Sequence, residues 1–464
     1  MSVLSRRRFL AASAASAASV GTPAVAAAPI KGQVDIAIIG AGAAGIAAAR
    51  RIARTKARVT FIEASDRVGG RCFTDTSTFG VPFDRGAHWI RMPETNPVTP
   101  LATKSGFDIY PAPPGQRMRI GRRYARAGEM EDYLTAMVRA NRAIGDAGRG
   151  RLDVSSAQAF PKDLADWRQT IEFVLGPFGC AKDLVDVSAV DFARYVERDA
   201  DAFCRQGFGA LITKLAEGLP VQLSNPASLI DWSERNNIEI RTVKGRVYCR
   251  TVIVTVSTGV LMSDKLKFDP ELPRRHLDAI EKLRLGSYDH IALELPGNPL
   301  GMQRDEIVFE KSESARTAAI LANISGTTLC TVEVGGKFGG DLAASGEPAM
   351  VSFALDWLTG LYGADIRKAV RRSSATRWNH EPWTLGAFSA AAPGGQWAHA
   401  ALAEPVRDRI FFAGEATHEA LWGTVGGAWA SGERAAGAAL RRLGFIDEPP
   451  EPKRADSPSS SRRR

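Results

Sequence analysis

An α/β fold in two parts is predicted by three observations along the 464 residues. A β-branched run, Val34 to Ile39, leads into Gly40, Gly42 and Gly45, an Ala-rich helix to about Ala53, and a second strand from Arg58 to Ile62 that ends at Glu63. Strand patterns then fade through a charged middle and return from Val221 onward. The chain closes on a strand at Arg409 to Ala413, a glycine-rich stretch and a helix from Gly426 to Leu443.

Between these landmarks the pattern is readable in order. Glu129 to Ile144 and Lys182 to Val196 carry charged helical periodicity, so the region from Arg119 to Ala200 reads as a helical insertion. Ser228 to Trp232, Ile238 to Val243, a Lys244-Gly245 turn, Arg246 to Cys249 and Thr251 to Val256 read as a meander-like sheet, and a mixed region follows to about Trp383. With 45% hydrophobic and 24% charged residues the chain buries a sizeable core, and low-complexity classes are excluded. Five cysteines without a C-x-x-C pair exclude a zinc site and a full disulfide framework, leaving buried thiols and at most one bridge. The net charge is +9, of which three come from Arg6, Arg7 and Arg8; the rest is too diffuse for a nucleic-acid partner.

Those arginines open a segment without acidic residues. Ser5-Arg6-Arg7-Arg8-Phe9-Leu10, an apolar run to Val20 and the small residues Ala24-Val25-Ala26 make residues 1–26 an expected twin-arginine export signal, too short in its apolar part to span a bilayer. Periplasmic or secreted location follows, with the export machinery as a partner and no stable membrane span. The tail, 447–464, rich in Pro, Ser and Arg, is expected to be disordered.

Gly40, Gly42 and Gly45 have separate mechanical roles. Gly40 permits the tight turn, Gly42 lets backbone approach a pyrophosphate, and Gly45 lets helix and strand pack closely. The helix opening at Ala43 and Ala44 offers free N–H groups to the anion, and Glu63, 18 positions after Gly45, accepts from ribose hydroxyls. Glu63-Ala64 then continues to Gly69-Gly70-Arg71, where two missing side chains and a guanidinium suit a second approach to phosphate or ribityl oxygens.

At this point the chain resembles the flavin-containing amine oxidase family of monoamine, polyamine and L-amino-acid oxidases and flavin histone demethylases. Asp84-Arg85-Gly86-Ala87-His88-Trp89 is similar to the family's segment beside the flavin ring, and Ser257-Thr258-Gly259-Val260-Leu261 to its strand and turn before the second substrate segment. Phe411 to Thr417 and Gly423 to Gly432, containing Gly414, Glu415, Thr424, Val425 and Ala428, match its closing motif. The resemblance implies a glutathione-reductase-type, Rossmann-like FAD-binding domain from 34–90, 203–285 and 385–445. An α+β substrate-binding domain with the helical insertion takes 91–202 and 286–384. Glu415 would accept from the ribityl chain, and the helix starting at Val425 would direct N–H groups at the flavin edge.

For the reaction the resemblance implies hydride transfer from the carbon next to nitrogen to flavin N5, giving an imine, with reoxidation by O2 or another acceptor. Trp383-Thr384-Leu385-Gly386-Ala387-Phe388 supplies Phe388 as one substrate-flanking ring, while the second such position falls on Thr424, with Trp383 and Trp422 as neighbouring candidates. Ala387 stands where monoamine oxidases carry a flavin-linked cysteine, so the FAD is expected to be non-covalent. His290 occupies the place of a lysine that holds a water, and an imidazole there can anchor a water or act as a base. Arg91 stands where polyamine oxidases have an acid, which favours a substrate with a carboxylate. The expected substrate is a small amine or amino acid, with homo-oligomerisation left open. The rival readings are a flavin desaturase of the carotenoid or protoporphyrinogen type, and a protein that binds FAD without turnover.

Overall fold

A computed structural model describes residues 32–113, 115–195 and 201–447; the expected export signal and the tail from Glu448 lie outside the described residues. The described residues from Gln33 to Asp447 form one compact unit. No described helix is long and apolar enough to cross a membrane.

An eight-stranded sheet is built on the front motif. Val34–Ile39 lies between Val59–Ile62 and Gly245–Val254, all parallel, and Ile410–Phe412 joins the far side of Gly245–Val254, also parallel. Registers Ile39 to Ile62, Ile39 to Val254 and Val254 to Phe412 align four strand ends. Gly40, Glu63, Thr255 and Ala413 therefore follow one another along a single carboxyl edge, where open parallel sheets receive ligands. The helix Ala43–Ile52 is buried on nearly all sides because its alanines and Gly45 are small. A Cβ on Gly45 would collide with the Gly40 carbonyl oxygen, so the close helix–turn packing requires glycine.

Gly245–Val254 is one continuous strand, where the sequence suggested two. Cys249 pairs on one side with Ile238 in an antiparallel ladder and on the other with Val34 in a parallel one, so the strand bridges meander and nucleotide fold without a break.

A seven-stranded sheet carries the remainder, in the order Arg372–Ala375, Tyr288–Glu294, Leu329–Gly335, Ala319–Ala322, Glu306–Glu310, Arg117–Ile120, Arg123–Tyr124. Helix Ala127–Gly148 packs Tyr133, Ala136, Ala140 and Ile144 inward at helical spacing, and Glu129 reaches back to the Arg126 N–H at 2.8 Å. The expected helix over Lys182 to Val196 is broken. Ser188 accepts from the Asp191 N–H at 2.9 Å and so starts a new helix, Ala189–Arg194. A three-stranded sheet of Ile90–Arg91, Asp201–Cys204 and Ile109–Pro111 straddles the boundaries drawn at 90 and 202. Strands of two to four residues leave too little periodicity to be read from sequence.

Candidate active site

The carboxyl edge of the first sheet opens into a cavity of about 550 Å³. Of the expected site residues, Gly40, Gly42, Ala43, Ala44, Glu63, Ala64, Gly69, Gly70, Arg71, Gly86, Ala87, His88, Trp89, Arg91, His290, Trp383, Phe388, Gly414, Glu415, Thr424, Val425 and Ala428 all line it. Gly45 lies behind it, in the packing role just described.

A dinucleotide such as FAD fits this lining on three counts. The helix Ala43–Ile52 begins at Gly42 with no side-chain cap, which leaves first-turn N–H groups for an anion. A Cβ built on Gly42 or on Gly414 meets no protein atom within 4 Å, so both backbones face open space. Glu63 is already oriented: Oε2 accepts from the Ala41 N–H at 2.5 Å and Oε1 from the Ser65 N–H and hydroxyl at 2.8 and 2.9 Å, leaving acceptor capacity for a ribose hydroxyl. The only cysteine among the lining residues is Cys72, whose thiol burial pushes up to about 12, and Ala387 carries no nucleophile.

Glu415 departs from its expected role as an open acceptor. Its oxygens take Arg71 Nη1 at 3.0 Å, Ser389 Oγ at 2.6 Å and N–H at 3.2 Å, and the Gly423 N–H at 2.9 Å. The carboxylate is thus a knot holding three chain segments, and through Arg71, which also donates to the Ala387 carbonyl at 2.5 Å, it ties the front motif to the Phe388 segment. Thr424 is likewise engaged. Its hydroxyl accepts from the Gly427 N–H at 2.9 Å, capping helix Val425–Arg442, and donates to the Leu421 carbonyl at 2.8 Å.

His290 differs most from expectation. Its Nε2–H donates to the Gly86 carbonyl at 3.0 Å, and Nδ1 lies at ion-pair distance, 2.7 Å, from Glu333 Oε2 without hydrogen-bond geometry. Nε2 is thus bonded to backbone and Nδ1 faces a carboxylate, so both ring nitrogens are directed at protein groups. Burial, the largest single influence, lowers its pKa, but the Glu333 carboxylate, the Gly86 carbonyl and Asp289 together turn the net shift upward; Glu333, against the opposing effect of burial, is held low by His290 and by hydrogen bonds from Thr331 and Tyr288. The partners are direct cross-strand neighbours in the second sheet. Arg91 has a parallel arrangement: its Nη1 lies 2.6 Å from Asp201, its cross-strand neighbour, and its guanidinium sits 5.5 Å from the Trp89 ring.

Several lining residues were not foreseen. Tyr288 stands 6.0 Å from Phe388 and 6.0 Å from Phe178, and Tyr195 stands 4.7 Å from the buried Trp422, all ring to ring. The Phe388 ring would be 2.8 Å from a Cβ on Gly423, so it presses on the backbone beside Trp422. The expected half-empty aromatic cage is therefore walled from other elements, among them the helical insertion. The available signal was Gly176-Pro177, which interrupts that insertion's helical pattern and marks the π-helical turn Val174–Phe178.

Comparison with known proteins agrees with this geometry. The model of the flavin containing amine oxidoreductases matches residues 150–440, and that of an NAD(P)-binding Rossmann-like domain matches 38–103. The chain is 26% identical over 448 residues to human lysine-specific histone demethylase 2, covering 87% of this chain but only 53% of that protein. To the probable polyamine oxidase 4 of Arabidopsis thaliana it is 26% identical over 441 residues, 86% of each. The cyclohexylamine oxidase structure from Brevibacterium oxydans superposes with a TM-score of 0.74 at 20% identity, covering 89% of this chain and all of that one.

Proposed function

This chain belongs to the flavin containing amine oxidoreductase family, and on that premise we propose that it is an exported, FAD-dependent enzyme that oxidises the carbon–nitrogen bond of a small amine. One observation carries the reading: the nucleotide cradle at Gly42, Glu63 and Arg71 and the aromatic wall at Tyr288, Phe388 and Trp422 line the same cavity. Bound flavin would supply the two-electron acceptor for hydride leaving the carbon attached to nitrogen, and the resulting imine hydrolyses in water.

The chain's own residues bind, orient and exclude. The first turn of Ala43–Ile52 and Glu63 hold the nucleotide portion, the Glu415–Arg71 knot fixes the Phe388 segment, and the helix opening at Val425 presents backbone N–H groups to the cavity. The aromatic wall restricts the amine to few orientations and displaces water from the reacting carbon. Non-covalent attachment of FAD is supported by Ala387 and by the high thiol pKa of Cys72.

The test is anaerobic mixing of purified yellow protein with monoamines, polyamines and L-amino acids. Bleaching of the flavin band by at least one of them is expected; a flavin that no member of the panel reduces would reject the enzyme reading. Export rests on the leader alone. Arg6→Lys with Arg7→Lys is expected to retain flavin-loaded precursor in the cytoplasm, measured by cell fractionation, and unchanged export would refute a twin-arginine route.

A further inference from the structure

Successive residues of the strand Tyr288–Glu294 project to opposite faces of the second sheet, yet two of them, Asp289 and His290, end on one short stretch of cavity wall, Arg85 to Ala87. His290 reaches it directly, at the Gly86 carbonyl. Asp289 reaches it through Trp378. The Asp289 carboxyl is fully buried, and its Oδ1 accepts from the Trp378 N–H at 2.9 Å and from the Thr376 hydroxyl at 2.8 Å. Thr376 is itself fixed to the strand, since its Oγ1 accepts from the His290 N–H at 2.9 Å and its N–H donates to the His290 carbonyl at 2.9 Å.

Trp378 lines the cavity and joins two of its walls. Its indole N–H donates to the Arg85 carbonyl at 2.9 Å, and its carbonyl accepts from the Gly386 N–H at 3.0 Å, in the segment that carries Phe388. A Cβ on Gly86 would lie 2.9 Å from the Trp378 ring on one side and collide with the Arg71 carbonyl oxygen on the other. The stretch is therefore gripped between the indole and the turn of the front motif.

A carboxyl is a costly group to bury for packing alone. Asp289 Oδ2 has no hydrogen-bond partner among the described residues, and no described cation stands within ion-pair distance. Burial pushes the carboxyl up to about 7, against the lowering effect of both hydrogen bonds and of nearby His290 and Arg377. What the group does supply is an acceptor for one particular backbone N–H, that of Trp378.

We infer that Asp289 is a positioning residue for the cofactor site, which acts through Trp378 to hold Arg85 and Gly86 in place as a wall of the flavin cavity. This rests on the FAD reading above and adds to it a residue that stands behind the lining and belongs to no nucleotide-binding motif.

The experiment titrates flavin-stripped wild type, Asp289→Ala, Asp289→Asn, Trp378→Phe and the Asp289→Ala, Trp378→Phe double variant with FAD. It reads Kd from quenching of FAD fluorescence and, separately, the unfolding midpoint without flavin. Asp289→Ala is expected to weaken FAD binding roughly tenfold, the scale of a lost buried hydrogen bond and its consequences. Asp289→Asn, which keeps the acceptor oxygen, is expected to return to within about threefold of wild type. Trp378→Phe keeps a ring but loses the N–H held by Arg85, and in its background Asp289→Ala is expected to cost clearly less than in wild type, because the two act in series. A lowered unfolding midpoint for Asp289→Ala with an unchanged Kd would overturn the inference, as that is what a role in the fold alone produces. Independent, additive effects would overturn the route through Trp378. If Asp289→Ala does not fold, Trp378→Phe carries the test, and an unchanged Kd there overturns the inference. Wild-type protein that took up no FAD would instead reject the cofactor reading itself.

Discussion

Gly42→Val is expected to give a folded protein that no longer retains flavin. Gly42 has φ −77° and ψ −176°, which any residue can adopt, and a Cβ there touches no protein atom within 4 Å. As the residue preceding helix Ala43–Ile52 it contributes no side-chain cap, so the variant loses little helix stability, about 1 kcal/mol or less. What the isopropyl group occupies is the space in front of the first-turn N–H groups. If two charge-assisted hydrogen bonds to phosphate are lost, each contributing roughly 1.5–3 kcal/mol, flavin affinity falls by about two to four orders of magnitude. The check compares the variant with flavin-stripped wild type, because ligand binding itself raises apparent stability. Matching circular dichroism and unfolding midpoints, with an absent flavin band for the variant, is the expected outcome. A yellow variant would mean that the anion does not sit at this turn.

Gly42 also shows why the nucleotide half of the site is legible from residues alone. Strand, turn, helix and acidic strand end fall within 30 consecutive residues, Val34 to Glu63, and each is specified by local requirements. The closing motif behaves the same way, since Thr424 caps the helix that follows it. Reading fails where chemistry depends on register between distant strands. Arg91 and Asp201 face one another across a ladder of very short strands, and His290 meets Glu333 only because Tyr288–Glu294 and Leu329–Gly335 pair in one antiparallel alignment. Neither neighbour leaves a trace in the spacing of the sequence. A basic residue read alone therefore looks available for substrate, when its countercharge is already fixed by the fold. The aromatic wall was missed for a related reason: Phe178, Tyr195 and Tyr288 come from segments that carry no binding motif, and only packing brings them to Phe388 and Trp422.

Removing the His290 side chain is the second large effect expected. His290→Ala leaves the fully buried Glu333 without its cation and frees the Gly86 carbonyl that His290 Nε2 holds. Breaking a buried pair on one side costs on the order of 3–5 kcal/mol, which should be visible as a large drop in the unfolding midpoint of flavin-free protein. The sign of the pH dependence follows from the two shifts. His290 is raised, so its contribution is complete below pH 6.5 and is lost as pH rises through its folded value; Glu333 is lowered, so its contribution is complete above pH 4.5 and is lost as pH falls through its folded value. The wild-type advantage is therefore greatest between pH 4.5 and 6.5 and narrows on either side. A double variant, His290→Leu with Glu333→Met, replaces the pair with apolar groups and is expected to recover most of the lost stability. It should nevertheless bind flavin more weakly than wild type, because the clamp on Gly86, next to Ala87 and His88 in the cavity wall, is still missing. Equal flavin affinity in the double variant would show that His290 serves the fold alone, and a single-variant loss below about 1 kcal/mol would show that the pair is not formed as described.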